Sequence, residues 1–189
     1  MKTIWNILLL CVATFFIGCG SASKVSYSPE EVNAFRDFLD NKSYEFVATV
    51  ANPIPSTGMT AIANTGLLPP GSTVSNIQLQ GNFNYLRVKG DTISASLPYY
   101  GERQQGGGYH TDAGIKFNDV PSYYSEAYDS EKNEMRINFS ISGKSEGYRV
   151  TLYLYPNKKA TAVVNSNQRF SIRYLGEIKA LEEKPEVSR

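Results

Sequence analysis

The chain has 189 residues, with 19 basic and 18 acidic side chains, one histidine and a net charge of +1. That length suits one ordinary domain able to bury a sizeable core. A balanced charge argues against nucleic acid as a partner, which needs a basic footprint, and against electrostatic binding to a charged membrane surface.

The first element is a leader. Lys2 supplies a positive start, and Ile4 to Ile17 is an apolar run broken only by Asn6 and Thr14. Such a run is too short and too close to the terminus to make a good membrane-spanning helix. It ends in Phe16-Ile17-Gly18-Cys19, which resembles the lipobox of bacterial lipoproteins, with Phe16 where leucine is more usual. The chemistry explains that pattern. A small residue at Gly18 lets a peptidase reach the bond, and the Cys19 thiolate takes up diacylglycerol. The resemblance implies a signal peptide over residues 1–18, a lipidated tether over 19–27, and a membrane partner held through palmitate-type acyl chains on Cys19. Gly20-Ser21-Ala22-Ser23-Lys24 lacks both the aspartate that would resemble inner-membrane retention and the acidic run that would resemble a surface-export signal. The expected address is the outer membrane, facing the periplasm.

Removing the 18 leader residues from 189 leaves 171, and with Lys2 gone 18 basic side chains face 18 acidic ones. Cys11 leaves with the leader and Cys19 is lipidated, so the folded part has no disulfide and a hydrophobic core must stabilise it alone. Trp5 leaves too, while all 13 tyrosines stay, which suits strands and contact surfaces.

Ser28-Pro29-Glu30-Glu31 reads as a capping box with proline at the first helical position. Val32, Phe35 and Leu39 follow at helical spacing, with Phe38 beside them, so residues 29–41 are expected to form one amphipathic helix on a sheet. Beyond it the signals are those of strands. Tyr44 to Val50 is β-branched and aromatic. Residues 52–72, with four prolines and three glycines, read as a long loop. Phe83–Val88 and Thr92–Leu97 flank Lys89-Gly90-Asp91 as a hairpin. Met135, Ile137, Phe139 and Ile141 alternate with polar residues, as do Val150, Leu152 and Leu154. Residues 160–165 and 169–175 give two further strands, and the tail over 181–189 is charged and expected to be loose. The expectation is a single mainly β domain over residues 28–180: an antiparallel sandwich or barrel-like fold with one N-terminal amphipathic helix.

Four stretches together resemble a known family. They are Tyr44-Glu45-Phe46-Val47-Ala48 leading to Asn52-Pro53; Gly90-Asp91 before Leu97-Pro98-Tyr99-Tyr100-Gly101; Gly114-Ile115-Lys116-Phe117; and Arg169-Phe170-Ser171-Ile172-Arg173-Tyr174-Leu175-Gly176. Their order and spacing resemble the domain of unknown function 4251 family, lipoproteins mostly of Bacteroidota. Tyr100 stands where the family more often has phenylalanine. The resemblance implies an exported lipoprotein with a β-rich domain, and it implies no activity, catalytic residue or ligand.

Several segments invite a chemical reading. Gly143-Lys144-Ser145-Glu146-Gly147 matches G-x-S-x-G, but a nucleophile elbow needs a following helix, and Tyr148 onward alternates as a strand. A phosphate-loop reading of the same Gly-Lys-Ser fails, because Asn138 stands where that motif needs glycine. The connection from Tyr99 to Asp112 holds Tyr99, Tyr100, Arg103, Tyr109 and His110 with a triple glycine. These five residues are the candidate ligand or partner contacts, since aromatics with polar tips suit recognition. The plainer reading is a long connection whose Tyr99 or Tyr100 plugs the end of the core. His110 with Asp112 or Asp119 is too loosely spaced to imply a metal, and neither a cofactor nor a metal site is expected. Asp91-Thr92-Ile93 resembles a periplasmic O-glycosylation acceptor at Thr92, and the same residues also suit a hairpin turn. Tyr123, Tyr124 and Tyr128 read as strand cover or contact surface.

The expected function is that of a non-enzymatic lipoprotein binding or interaction module, with an envelope protein as partner. The alternative is a carrier of a small apolar ligand in a β-barrel or sandwich cleft. A hydrolase using His110 is the third reading. A continuous cavity favours the carrier, and a solid core with exposed aromatics favours interaction.

Overall fold

The computed structural model describes residues 27–104 and 114–181. It opens with helix α1, Pro29–Asp40, whose start follows from the sequence. The Ser28 hydroxyl accepts from the Glu31 N–H at 3.2 Å, and the Glu31 carboxylate accepts from the Ser28 N–H at 2.7 Å. Phe35 and Leu39 are buried, and the chain turns at Lys42 with φ +45°.

Ten strands follow: β1 Ser43–Pro53, β2 Ile77–Gln78, β3 Tyr85–Lys89, β4 Thr92–Leu97, β5 Ile115–Asp119, β6 Tyr123–Asp129, β7 Glu134–Ser142, β8 Gly147–Leu154, β9 Lys159–Ser166 and β10 Ile172–Ala180. They form one antiparallel sheet in the order β5-β4-β3-β1-β10-β9-β8-β7-β6, with β2 also paired to β1. The sheet curls into a half-barrel, so of the two architectures expected the barrel-like one is correct and the sandwich is not. Strands β3, β4, β8 and β9 alternate cleanly, and the inward side chains fill the curl. Tyr44, Phe46, Phe139, Leu152 and Tyr174 are at most 1% exposed. Burial of this apolar area is the main stabilising term.

The two sheet edges approach without forming a ladder. The Phe117 ring on β5 lies 6.1 Å from Phe139 and 5.5 Å from Tyr148, tying β5 to β7 and β8 through side chains. Farther along, α1 runs beside β6. The Arg36 guanidinium stacks 4.0 Å over Tyr128, and Lys42 Nζ lies 5.6 Å from the Tyr124 ring. A helix at this edge protects a strand that would otherwise offer itself for pairing.

Three sequence expectations need correction. Residues 52–72 are not wholly loop, because Thr57–Asn64 forms a second helix, α2. Only Met59 of α2 is buried, so no apolar stripe announces it. Its N-terminus is held by the Ser56 hydroxyl on the Met59 N–H (3.2 Å) and by the distant Glu102 carboxylate on the Gly58 N–H (3.0 Å). The strand placed at 169–175 begins at Ile172 and runs to Ala180, because Arg169 turns into a buried ion cluster. The first arm of the 83–97 hairpin begins at Tyr85, and Phe83 and Asn84 lie ahead of it.

Asn84 has a structural task of its own. Strand β1 pairs with β3 over Ser43–Phe46 and with β2 over Val50–Ala51, which leaves Ala48 between them. The buried Asn84 amide fills that gap. Its Oδ1 accepts from the Ala48 N–H at 2.8 Å, and its Nδ2 donates to the Ala48 carbonyl at 3.0 Å. Asn84→Leu strands both backbone groups away from water and is expected to cost about 2–4 kcal/mol. A shift of the guanidinium midpoint at unchanged slope checks this.

Candidate functional site

At the end of the half-barrel opposite α1, the β7–β8 hairpin tip meets the chain that leaves β4. Residues 143–146 make a tight turn, closed by the Gly143 N–H donating to the Glu146 carbonyl at 2.8 Å. A strand follows, so the G-x-S-x-G segment is a hairpin turn and lacks the helix that an elbow requires. Gly143 is needed for contact, since a Cβ there would meet the Lys116 carbonyl at 2.9 Å.

The turn delivers Glu146 into the interior, with its side chain 2% exposed. Arg169 Nη2 reaches Glu146 Oε1 at 2.5 Å, Arg169 Nε at 2.8 Å and Arg103 Nη2 at 3.0 Å. The Ser166 hydroxyl donates to Oε2 at 2.5 Å, and the Tyr148 hydroxyl is also within hydrogen-bonding reach of the carboxylate. Burial pushes the Glu146 carboxyl up, but the bonds from Arg169, Ser166 and Tyr148 and the Arg169 charge outweigh it and hold the group below the usual carboxylate range. Burial first, and then the hydrogen bond to Glu146 and its charge, push the Tyr148 phenol up. A carboxylate held this way is a poor base toward Ser166. The cluster is built to hold charge in place rather than to move a proton.

Arg169 is also covered by Tyr99, whose ring centroid lies 4.9 Å from the guanidinium. The Tyr99 hydroxyl lies 3.1 Å from the Glu102 carbonyl and 3.2 Å from the Phe170 carbonyl. The Tyr174 hydroxyl donates to the Pro98 carbonyl at 2.7 Å. Gly101 has φ +142°, and a Cβ there would lie 2.8 Å from the Tyr99 hydroxyl oxygen, so only glycine suits this turn. Tyr99 and Tyr100 are half-buried and pack against the core. Of the five sequence-predicted contacts, Tyr99, Tyr100 and Arg103 are thus gathered at one rim, while Tyr109 and His110 lie outside the described residues, as does Cys19.

Beside this cluster runs an open cleft of about 860 Å³. It is lined by Tyr85, Ser96, Lys116, Asn118, Asp119, Lys144 and Ser145, with Tyr148 and Arg169 at its base. Tyr85, Ser96 and Lys116 form one row across β3, β4 and β5 by register. Phe83, 79% exposed, stands edge-on to Tyr85 at 5.7 Å, and the Arg87 guanidinium stacks 4.0 Å over the Tyr85 ring. Arg87 is oriented by Glu45 on β1, which also pairs with Lys179 on β10 at 3.1 Å. Sequence reading missed Glu146, Arg169, Phe83 and Lys116 as site residues. The first two lie 23 positions apart and carry no local pattern. Phe83 sits in a run whose pattern predicts a strand.

Thr92 is exposed at the first position of β4, beside Asp91, which pairs with Lys42 at 3.6 Å. Tyr27 lies at the opposite end from the cleft, lining a shallow trough with Tyr155, Lys159 and Leu175. The eight residues of β8 separate the two ends by roughly 25 Å. Among the described residues no group of three or more His, Cys, Asp or Glu side chains is placed to hold a metal ion, and no helix is long and apolar enough to cross a membrane.

Comparison with known proteins places these features in a family. The family model described as Domain of unknown function (DUF4251) matches residues 27–178. Among solved structures, the chain is similar to the crystal structure of a DUF4251 family protein from Bacteroides eggerthii DSM 20697. The two share 13% sequence identity at a TM-score of 0.52, over 80% of this chain and 88% of that one. No curated protein matches the chain. At that identity the similarity concerns the fold alone.

Proposed function

The chain belongs to the DUF4251 family, whose description assigns no activity, and we propose that it is an outer-membrane lipoprotein that faces the periplasm and works as a non-enzymatic binding or interaction module. The observation that carries this reading is where the molecule keeps its open surface. The inside of the curl is packed with side chains, while the cleft on its rim combines the half-buried Tyr85 with the exposed Lys116, Lys144 and Asn118. Aromatic and arginine side chains are the usual anchors of protein interfaces. The address rests on the lipobox-like Phe16-Ile17-Gly18-Cys19. The tether from Cys19 would join the domain at Tyr27, on the side of the α1 end and not of the cleft. The exposed Thr92 hydroxyl is compatible with its reading as a glycan acceptor.

Cys19→Ser is expected to abolish incorporation of labelled palmitate and to leave the leader uncleaved, so that the chain runs larger on a denaturing gel. Absence of label on the natural chain, or an unchanged label and size in the variant, would sink the anchor. Native mass spectrometry of the full-length protein, gently extracted, tests the alternative carrier reading. An added non-covalent mass of a few hundred daltons, lost on denaturation, would replace the interaction module with a carrier.

A further inference from the structure

Charge balances over the whole chain but not over each part of its surface. Sheet register lines up three rows of outward side chains on the convex face of the half-barrel. Tyr123, Ser140, Arg149 and Asn165 form one row across β6 to β9. The next row runs from Ser125 through Asn138 and Thr151 to Arg173 on β10. The third runs from Ala127 through Arg136 and Tyr153 to Leu175. No residue of these rows is buried and none is acidic, although the chain has 18 acidic side chains. Arg149 and Arg173 are exposed, and among the described residues neither has an ion-pair, hydrogen-bond or ring partner for its side chain. They stand two strands across and two residues along from each other, about 12 Å between Cα atoms. The third arginine, Arg136, lies 5.3 Å from the Tyr153 ring. Hydroxyl and amide groups lie between the arginines. The Thr151 hydroxyl donates to Asn138 Oδ1 at 2.9 Å, which leaves the Asn138 Nδ2 group to donate elsewhere.

We propose that this acid-free convex face binds an acidic polysaccharide, a chain of sugars that carry carboxylates. A guanidinium fork matches a carboxylate with two parallel hydrogen bonds. The spacing of Arg149 and Arg173 suits a ligand that repeats its charge along its length better than a single small anion. The hydroxyl and amide groups between them match sugar hydroxyls. Tyr123, 56% exposed, and the half-buried Tyr153 offer ring faces to sugar C–H groups. An acidic polypeptide fits less well, because β7 to β10 are paired on both sides and offer no free edge on which to add a strand. A charged bilayer fits less well again. The row beyond Arg136 carries Asp129, Glu134 and Glu177, which a broad anionic surface would meet. A single polymer chain stays clear of them within three rows that span about 13 Å. None of these residues lines the cleft, so the inference goes beyond the proposed function and does not depend on the lipid anchor.

The test uses the full-length protein in mild detergent at low salt, with polygalacturonate as the probe. Isothermal titration should show binding that weakens as salt is added. The double variant Arg149→Gln, Arg173→Gln should bind about tenfold more weakly or worse, with its melting temperature in place, since both positions are exposed. Lys89→Gln removes an exposed cation outside the three rows and should leave the affinity within about twofold. Neutral dextran should not bind, and polyglutamate at equal charge should bind at least about tenfold more weakly than polygalacturonate. Absence of polygalacturonate binding, an affinity unchanged in the double variant, an equal loss in Lys89→Gln, or polyglutamate bound as tightly would each overturn the proposal.

Discussion

Gly176→Ala is expected to destabilise the domain by at least about 3 kcal/mol, a large share of the 5–15 kcal/mol typical of a domain, and to leave much of it unfolded at 37 °C. Gly176 sits inside β10, opposite Ala48 on β1 and Ala160 on β9. A Cβ there would lie 2.0 Å from the Val47 carbonyl oxygen and 2.8 Å from the Ala48 Cα. Both obstacles are backbone of the neighbouring strand β1, so neither can swing aside as a side chain would. The register slips at this point, between Ala48 and Val50, and the close approach accompanies that irregularity. Gly147→Ala is the control. Nothing lies within 4 Å of its Cβ direction, so its midpoint should move by no more than a few tenths of a kcal/mol. Equal midpoints for the two variants would show that β1 and β10 are not packed this closely.

Glu146→Gln is expected to cost about 3–5 kcal/mol, because it leaves two guanidinium groups at the rim without their shared charge. Its pH dependence identifies the cause. The folded carboxyl titrates below its ordinary value near 4.5, so the unfolded chain binds more protons in acid. The stabilisation is therefore complete above that value and is lost as pH falls through the lower folded value. Glu45, also held low against burial by Arg87 and Lys179, adds to the same acid limb. The Gln variant should retain only part of the slope of stability below pH 5. An unchanged acid limb would show that Glu146 is not the group responsible. Because the cluster fastens Arg103 and Arg169 beneath the cleft, the same variant should loosen the Tyr99–Gln104 segment. Faster amide exchange at Arg103 and Gln104 would report it.

The cleft itself illustrates why function resists a purely linear reading. Its lining comes from β3, β4, β5 and the β7–β8 turn. None of these segments is unusual alone, and only curling of the sheet brings them side by side. The segment from Tyr99 to Arg103 was legible as a place of interest because its composition is dense. Its described part proves to be tied down by Arg169, Glu146 and the Phe170 carbonyl.

What the sequence determined by itself is whatever rests on local chemistry. The Ser28–Glu31 capping box starts α1 because a short polar side chain and a glutamate three residues later satisfy each other's backbone. The alternation in Met135–Ile141 and Val150–Leu154 defines half-buried strands because a pleat has period two. The family resemblance, too, was carried by short stretches whose order along the chain is enough. Tertiary structure decided the rest, where a residue's role depends on a distant partner. Helix α2 persists on a carboxylate 44 positions away, Asn84 completes a ladder at Ala48, and Arg169 ends its strand early to reach Glu146. Whether one sheet curls or two sheets stack was also beyond local reading, since both bury the same alternating pattern. The physical reason is common to all four. Hydrogen bonds and ion pairs across the fold are made between groups whose spacing is set by sheet register, and register is fixed only when the whole core packs.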